Sequence, residues 1–333
     1  MDERLAKLLE LDAPSGFEKP VCDFLEKELS RFGKVWRDAM GNLYARIGEG
    51  EKSVLLASHM DEVGFMVQHV YPNGFLKFTP LGGWDERILP DMEVKLLGKK
   101  EVYGVISTKP PHITSDVERN QPIKMDELFI DTGLNQAELE SLDISTGTPI
   151  TPSSTLRVNG SIVKAKALDD RAGCYALLRV AEELKSTRKS VYLVATVQEE
   201  LGLRGARVAA SNVKANFALA VEATVAADQP GLAEEKRPST MGGGAVLTAM
   251  DRSLVANQEL LFLLKEVAKK RGISTQIKKP SYGGTDAGEL QFAGIPSGVV
   301  SIPCRYIHSA NSMCNLHDVD QVVKLLLAFI EEF

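Results

Sequence analysis

A chain of 333 residues with 44% hydrophobic and 25% charged side chains has the composition of a globular protein with one large or two medium domains. Its formal net charge of −6 argues against nucleic-acid binding, which needs a basic footprint. No apolar run approaches the ~20 residues of a membrane helix, and the N-terminus has no secretory h-region. The cysteines, Cys22, Cys174, Cys304 and Cys314, lack Cys-x-x-Cys spacing. The expectation is a cytoplasmic protein with reduced thiols and no nucleic-acid or membrane partner.

In chain order, Leu5, Leu8, Leu9 and Leu11 predict an amphipathic helix over 2–12, broken by Ala13-Pro14-Ser15-Gly16. A second helix is predicted over 19–32, then strands over 35–37 and 43–47. The apolar run 53–58 reads as a buried strand and ends in His59-Met60-Asp61-Glu62. The carboxyl ends of central strands are where open α/β sheets bind ligands. From 69 to 157 short β-like segments alternate with turns, with strands over 94–97 and 102–106 and a helix over 135–142. This texture predicts a β-rich domain inserted into an outer α/β domain made of 1–68 and 158–333.

The stretch Lys166-Ala-Leu-Asp-Asp-Arg-Ala-Gly173 then opens a helical pattern over 170–184. A strand over 190–197 closes in Gln198-Glu199-Glu200, and a loop over 201–205 leads to another helix. A strand over 217–221 is ended by Glu222, and 223–244 reads as an irregular loop. Strand 245–249, helix 257–271 and strand 275–278 follow. Tyr282-Gly-Gly-Thr-Asp-Ala-Gly288 is a Gly-rich turn opening a helix. Strand 298–302 leads into Pro303-Cys-Arg-Tyr-Ile-His-Ser309. The last helix covers 319–333, with Asp318 and Gln321 as a capping box. The fold class is α/β, a mixed central sheet flanked by helices.

The candidate metal ligands are His59, Asp169, Glu200, Glu222 and His308. Each has a bland alternative. Asp169 and Asp170 at a helix start suit an N-cap, Glu199-Glu200 a solvated edge, His59 a satisfied buried imidazole and Glu222 a surface acid. Ser309 beside His308 lacks a strained Gly-x-Ser-x-Gly setting. Together, imidazole and carboxylate without thiolate suit a catalytic zinc, cobalt or manganese site. Five such donors exceed one open tetrahedral ion and fit two divalent ions sharing a carboxylate. Glu199 is then the general base. Asp61 is placed to accept the second ring N–H of His59.

Ser58-His-Met-Asp-Glu-Val-Gly64, Ala167-Leu-Asp-Asp-Arg-Ala-Gly173, Gln198-Glu-Glu200, Gly283-Gly-Thr-Asp-Ala287 and Ile302 to Ser309 resemble the dinuclear aminopeptidases of the TET type. This family is also called glutamyl-aminopeptidase-like or deblocking, and some members are labelled endoglucanase. Gly82-Gly-Trp-Asp85 and Pro110-Pro-His112 look like its inserted domain. The resemblance runs along nearly the whole chain in order.

It implies a Zn-peptidase-like catalytic domain interrupted by a PDZ-like domain at 69–157 that serves dimerisation or as a lid. It also implies two divalent ions per subunit, zinc or cobalt, and assembly of dimers into tetrahedral dodecamers. Position by position, Asp169 would bridge the ions, His59 and Glu222 would complete one, and Glu200 and His308 the other. The implied reaction removes the first residue of short peptides, with Glu199 activating the bridging water. At Glu222 many members have Asp, which puts metal preference in question. Competing readings are a related metallo-carboxypeptidase or deacylase, a glycoside hydrolase, and a metal-bound scaffold. Trp84 and His112 read as structural or interface residues.

Overall fold

The computed structural model describes residues 1–115, 120–121, 123–184, 187–280 and 283–333. Tyr282 therefore lies outside the described residues. Two helices lead the chain. Helix α1 (Glu3–Glu10) starts where the Asp2 side chain accepts the Arg4 amide at 2.8 Å. Helix α2 (Lys19–Leu29) carries Pro20 in its first turn, where no intrahelical donor is needed. Both bury their leucines against the sheet that follows.

That sheet begins with β1 (Lys34–Arg37), β2 (Leu43–Ile47) and β3 (Ser53–His59). The chain then leaves it for a closed barrel of β4 (Gly64–Val70), β5 (Leu76–Leu81), β6 (Glu93–Leu97), β7 (Glu101–Ser107), β8 (Phe129–Asp131) and β9 (Pro149–Pro152), with helix α3 (Gln136–Ser141) between the last two strands. It returns through β10 (Arg157–Asn159), β11 (Ile162–Ala165), α4 (Leu168–Glu183), β12 (Ser190–Thr196), α5 (Arg204–Asn212) and β13 (Phe217–Val225). The remainder is β14 (Ala245–Thr248), α6 (Gln258–Arg271), β15 (Thr275–Lys278), α7 (Asp286–Phe292), β16 (Ser297–Arg305), β17 (Ser312–Asn315) and α8 (Leu316–Glu332).

The large sheet runs β1-β2-β12-β3-β13-β16-β17-β11-β10, with β14 and β15 attached to β16. Strands β12, β3, β13 and β16 are parallel; β1, β2, β17, β11 and β10 pair antiparallel. The parallel centre is buried on both faces, which is why β3 is apolar at successive positions rather than alternating. Val54 and Leu56 pack into the cluster that holds α1, α4 and α8. Leu55 and Ala57 pack on the opposite face with Ala209, Ala210 and Leu290 from α5 and α7. The barrel has its own core of Phe65, Val67, Leu76, Val94, Ile106 and Ile130.

Three boundaries differ from the sequence reading. Barrel pairing starts at Gly64, ahead of the composition change at 69, because Phe65 and Val67 carry the same apolar signal as a strand of the outer sheet. Strand β13 does not stop at Glu222. It continues to Val225, paired with β16 up to Cys304, so this acid lies inside a buried strand. Helix α8 is capped by Asn315, whose side chain accepts the His317 amide at 3.0 Å. Asp318 instead accepts the amides of Gly242 and Gly244 at 2.6 and 2.8 Å, and Gln321 accepts that of Ser274 at 2.9 Å. These side chains anchor loops to the helix rather than cap it. All four cysteines are free and buried. No described helix is long and apolar enough to cross a membrane.

Candidate metal centre

Parallel pairing sets His59, the last residue of β3, opposite Thr196, the last of β12. Beyond them the two chains are tied by Asp61, whose carboxylate accepts the amides of Glu199 at 3.0 Å and Glu200 at 3.1 Å. His59 Nδ1 lies 3.2 Å from the Asp61 carbonyl and 3.5 Å from its carboxylate. A carbonyl only accepts, so Nδ1 donates and Nε2 holds the lone pair of the neutral ring. That Nε2 faces Asp169 Oδ1 at 3.2 Å.

The adjacent acids divide their work. Both lie at the start of α4 with non-helical backbone angles. Asp170 turns inward, accepting the Gly173 amide at 3.0 Å and the Ser58 hydroxyl at 2.6 Å. It thus meets the capping expectation for the pair. Asp169 turns the other way, into the cleft. A β-carbon on Gly173 would lie 2.3 Å from the Val221 carbonyl, so only glycine lets α4 approach β13 this closely.

His308 comes from the hairpin between β16 and β17. Its Nε2 stands 3.2 Å from Glu200 Oε1 and 3.5 Å from Asp169 Oδ2. Its Nδ1 donates to the Gly83 carbonyl at 2.9 Å, a group from the barrel. Asp169 is thereby met by one imidazole at each oxygen.

Glu222 reaches the site from within β13. It is buried, and its Oε1 accepts the Asp286 amide at 2.9 Å. Ligand atoms lie within 4.8 Å of one another in three sets: Asp169, Glu200 and His308; His59, Glu199 and Glu200; and Glu199, Glu222 and Asp286. Glu222 meets this centre through Glu199, which the second and third sets share. Sequence reasoning gave Asp286 no role. Its position after Gly283-Gly284-Thr285 reads as an ordinary helix start, and its closeness to Glu222 exists only once α7 packs on β13. Nor did sequence assign the Gly83 carbonyl, since a backbone atom leaves no residue-type signal.

Burial is the largest single influence and lowers both imidazoles, but Asp169 and the other neighbouring carboxylates together outweigh it. His59 is held well above 6.5, with Asp61 helping, and His308 is raised to about 11, with Glu200 helping. Asp169 is lowered against its burial by His308 and His59. Burial raises Glu199 and Glu222 well above 4.5; His59 opposes this, and neighbouring acids reinforce it. Burial also raises Glu200, and Asp286 to about 6. Closely spaced buried carboxylates facing paired imidazoles fit divalent cations.

A cavity of about 1180 Å³ opens beside His308, between the barrel and the sheet. Trp84, Ile88, Met92, Ile307 and Met313 line part of it. Trp84 is fixed by donating to the Gly64 carbonyl at 3.0 Å and stacking on Phe65, with ring centres 4.6 Å apart.

The fold and donor set are those of a metal-dependent hydrolase of the aminopeptidase class. Residues 41–325 match the family described as M42 glutamyl aminopeptidase. The chain is similar to a TET aminopeptidase structure from a marine sediment archaeon of the Thaumarchaeota, with 36% identity, a TM-score of 0.97 and 99% and 96% of the two chains covered. It is 34% identical to the lysyl aminopeptidase of Pyrococcus furiosus, over 99% of this chain and 96% of that protein. It is 30% identical to the TET1 peptidase of Pyrococcus horikoshii, with a TM-score of 0.88 and 99% of each chain covered. The chain belongs to the M42 glutamyl aminopeptidase family.

Proposed function

We propose that this protein is a dinuclear metal aminopeptidase that removes the N-terminal residue from short peptides. The observation that carries the proposal is Asp169, which one imidazole meets at each carboxylate oxygen. One carboxylate shared between two histidines suits a bridge between two ions. Asp169 with Glu200 and His308 would hold one ion. Asp169 with His59, joined by Glu222, would hold the other. Zinc or cobalt suits this imidazole and carboxylate set. When bound, such ions polarise the scissile carbonyl and make water acidic enough to attack at neutral pH.

The chain's own residues do the rest. Glu199 accepts the proton of the attacking water and passes it to the leaving amine. Burial and neighbouring acids, which hold its carboxyl up, suit it to both transfers. Asp61 keeps Glu199 and Glu200 in place through their amides, and orients His59. The cavity beside His308 receives the peptide, with Trp84 as part of its wall.

The barrel acts in dimerisation or as a lid on the catalytic domain. The Pyrococcus horikoshii relative can assemble into a tetrahedron or a large octahedral shell. By that likeness, and that of a related TET1 dodecamer, this chain forms a homo-oligomer, a tetrahedral dodecamer built from dimers; its free, buried cysteines suit the reducing cytoplasm.

The test is hydrolysis of short peptides with free or acetylated N-termini, after chelation and with Co²⁺ or Zn²⁺ restored. Metal-dependent release of the first residue from free peptides alone is expected. Cleavage from the carboxyl end, or removal of the acetyl group only, would move the protein to a carboxypeptidase or deacylase.

A further inference from the structure

The turn after β12 is held by side chains from elsewhere in the chain. The Val197 amide donates to the Asn42 side chain at 3.0 Å, that of Gln198 to Glu18 at 3.0 Å, and those of Glu199 and Glu200 to Asp61. Asp61 already has a place in the site; Glu18 has none. Glu18 stands at the start of α2, yet its side chain does not cap that helix. It is 6% exposed. Its Oε1 accepts the Gly16 amide at 2.6 Å as well as that of Gln198.

The loop from Ala13 to Gly16, which the sequence marks only as a helix break, therefore supports the turn. That loop is itself strapped to the residues after β3. The Ser15 amide donates to the Glu62 carbonyl, and the Glu62 amide to the Ala13 carbonyl, both at 3.1 Å. Glu18 thus reaches the turn from a fixed base.

Gln198 needs that support. Its φ is +54°, in the left-handed region where a residue with a β-carbon is strained unless its surroundings hold it. A change of backbone at 198 swings the whole of residue 199, whose amide alone is fixed by Asp61. Burial and the neighbouring Asp61 push the Glu18 carboxyl up, so its charge is no gain to the fold. What it supplies is a hydrogen-bond acceptor at the right distance.

We propose that Glu18 is a positioning residue of the reaction: by accepting the Gln198 amide it holds that residue's left-handed backbone and so aims the Glu199 carboxylate. The proposal rests on the reading of Glu199 as general base. Displacing a reacting group by about 1 Å costs on the order of 10²-fold in rate, which sets the scale of the effect.

The experiment compares full-length, Co²⁺-loaded enzyme with Glu18→Ala, which removes the acceptor, and Glu18→Gln, which keeps one acceptor oxygen. Glu18→Ala is expected to lower kcat by roughly 10- to 100-fold. KM and Co²⁺ content are expected to hold, because Glu199 acts on water and Asp61 still fixes Glu200. Glu18→Gln is expected to recover most of the loss. Should Glu18→Ala fail to fold, Glu18→Asp draws the acceptor back by one methylene and is expected to show a milder form of the same loss. Glycine takes the left-handed backbone without strain, so adding Gln198→Gly to either deficient variant is expected to restore part of kcat. A variant merely weakened in its fold gains nothing from that change.

Hydrogen exchange at the Gln198 amide reads the contact without turnover. It is expected to be slow in the parent enzyme and in Glu18→Gln, and fast in Glu18→Ala. Undiminished kcat in Glu18→Ala and Glu18→Asp, a loss carried by KM or by Co²⁺ content, or no gain from Gln198→Gly would each overturn the proposal. Equal exchange in Glu18→Ala and the parent would do the same. If Glu199→Gln kept full activity, the general-base reading would fail, and exchange at Gln198 would still decide whether Glu18 holds the turn.

Discussion

His308 Nδ1 donates to the carbonyl of Gly83 at 2.9 Å, so a backbone atom of the barrel orients a candidate metal ligand of the large sheet. Hydrogen bonds of this kind fix the ring and present Nε2 to the site. Gly82, just before it, has φ +90°, and a β-carbon there would lie 2.8 Å from Val63 Cγ1 and 3.1 Å from Glu200 Cβ. Gly82→Ala is expected to cost about 1–3 kcal/mol in stability through backbone strain. It is also expected to weaken metal binding by roughly 10- to 100-fold, as loss of an orienting contact does. Thermal unfolding of the metal-free protein and competition with a chelator separate the two effects.

Replacing Glu199 by Gln keeps the shape of the site and removes the proton acceptor. Activity is expected to fall by about 10²- to 10⁴-fold with Co²⁺ content unchanged. Stability is expected to hold or rise, because burial and repulsion already disfavour the charged form. A variant that lost metal in step with activity would make Glu199 a ligand instead of the base.

Metal binding and pH are linked through His308, whose proton is held up to about pH 11 without metal by Asp169 and Glu200 against burial. Below that pH a cation must displace the proton, so affinity is expected to rise as pH rises. Calorimetry in buffers of different ionisation enthalpy reads the proton release directly. In the metal-free protein the sign for stability is opposite. The protonated pair contributes fully below the ordinary value of 6.5 and is lost as pH climbs through about 11.

Asp61 accepts two part-buried amides as well as facing His59. Asp61→Ala leaves these donors without a partner, at about 1–3 kcal/mol for each unsatisfied group. Both Tm and kcat are expected to drop. Asp61→Asn, which keeps one acceptor oxygen, is expected to recover part of the Tm.

Lys166 is buried between Glu62 at 2.6 Å and Asp12 at 3.0 Å, and Lys95 of the barrel reaches the same Asp12 at 2.7 Å. Lys166→Met leaves Asp12 to Lys95 alone and Glu62 to Arg171 at 3.6 Å, a loss of about 3 kcal/mol, the low end for a broken buried pair. Adding Glu62→Gln to it is expected to restore part of that loss. Denaturant titration of the single and double variants measures the difference.

The local pattern was enough to place the two-sided burial of β3, the helices of the outer layers and the β-rich texture of the insert. Apolar spacing encodes how many faces of an element are covered, and that information is local. The identities of His59, Asp169, Glu199, Glu200, Glu222 and His308 as candidates were also legible, because acids and imidazoles at the ends of apolar strands are costly unless used. What each acid faces was not legible. Asp169 and Asp170 are neighbours of one type, and only the packing of α4 on β13 sends one to the helix amides and the other to the cleft. Glu222 looked like the end of a strand because its charge interrupts an apolar run, whereas pairing with β16 carries β13 past it. The contacts that join remote segments, Asp286 to Glu222 and Gly83 to His308, depend on distances set by the whole sheet and on backbone atoms that every residue shares. Sequence therefore determined the candidate donors and the elements that carry them, and the tertiary structure alone decided their partners, because partnership across 64 or 225 residues is a property of packing and not of local pattern.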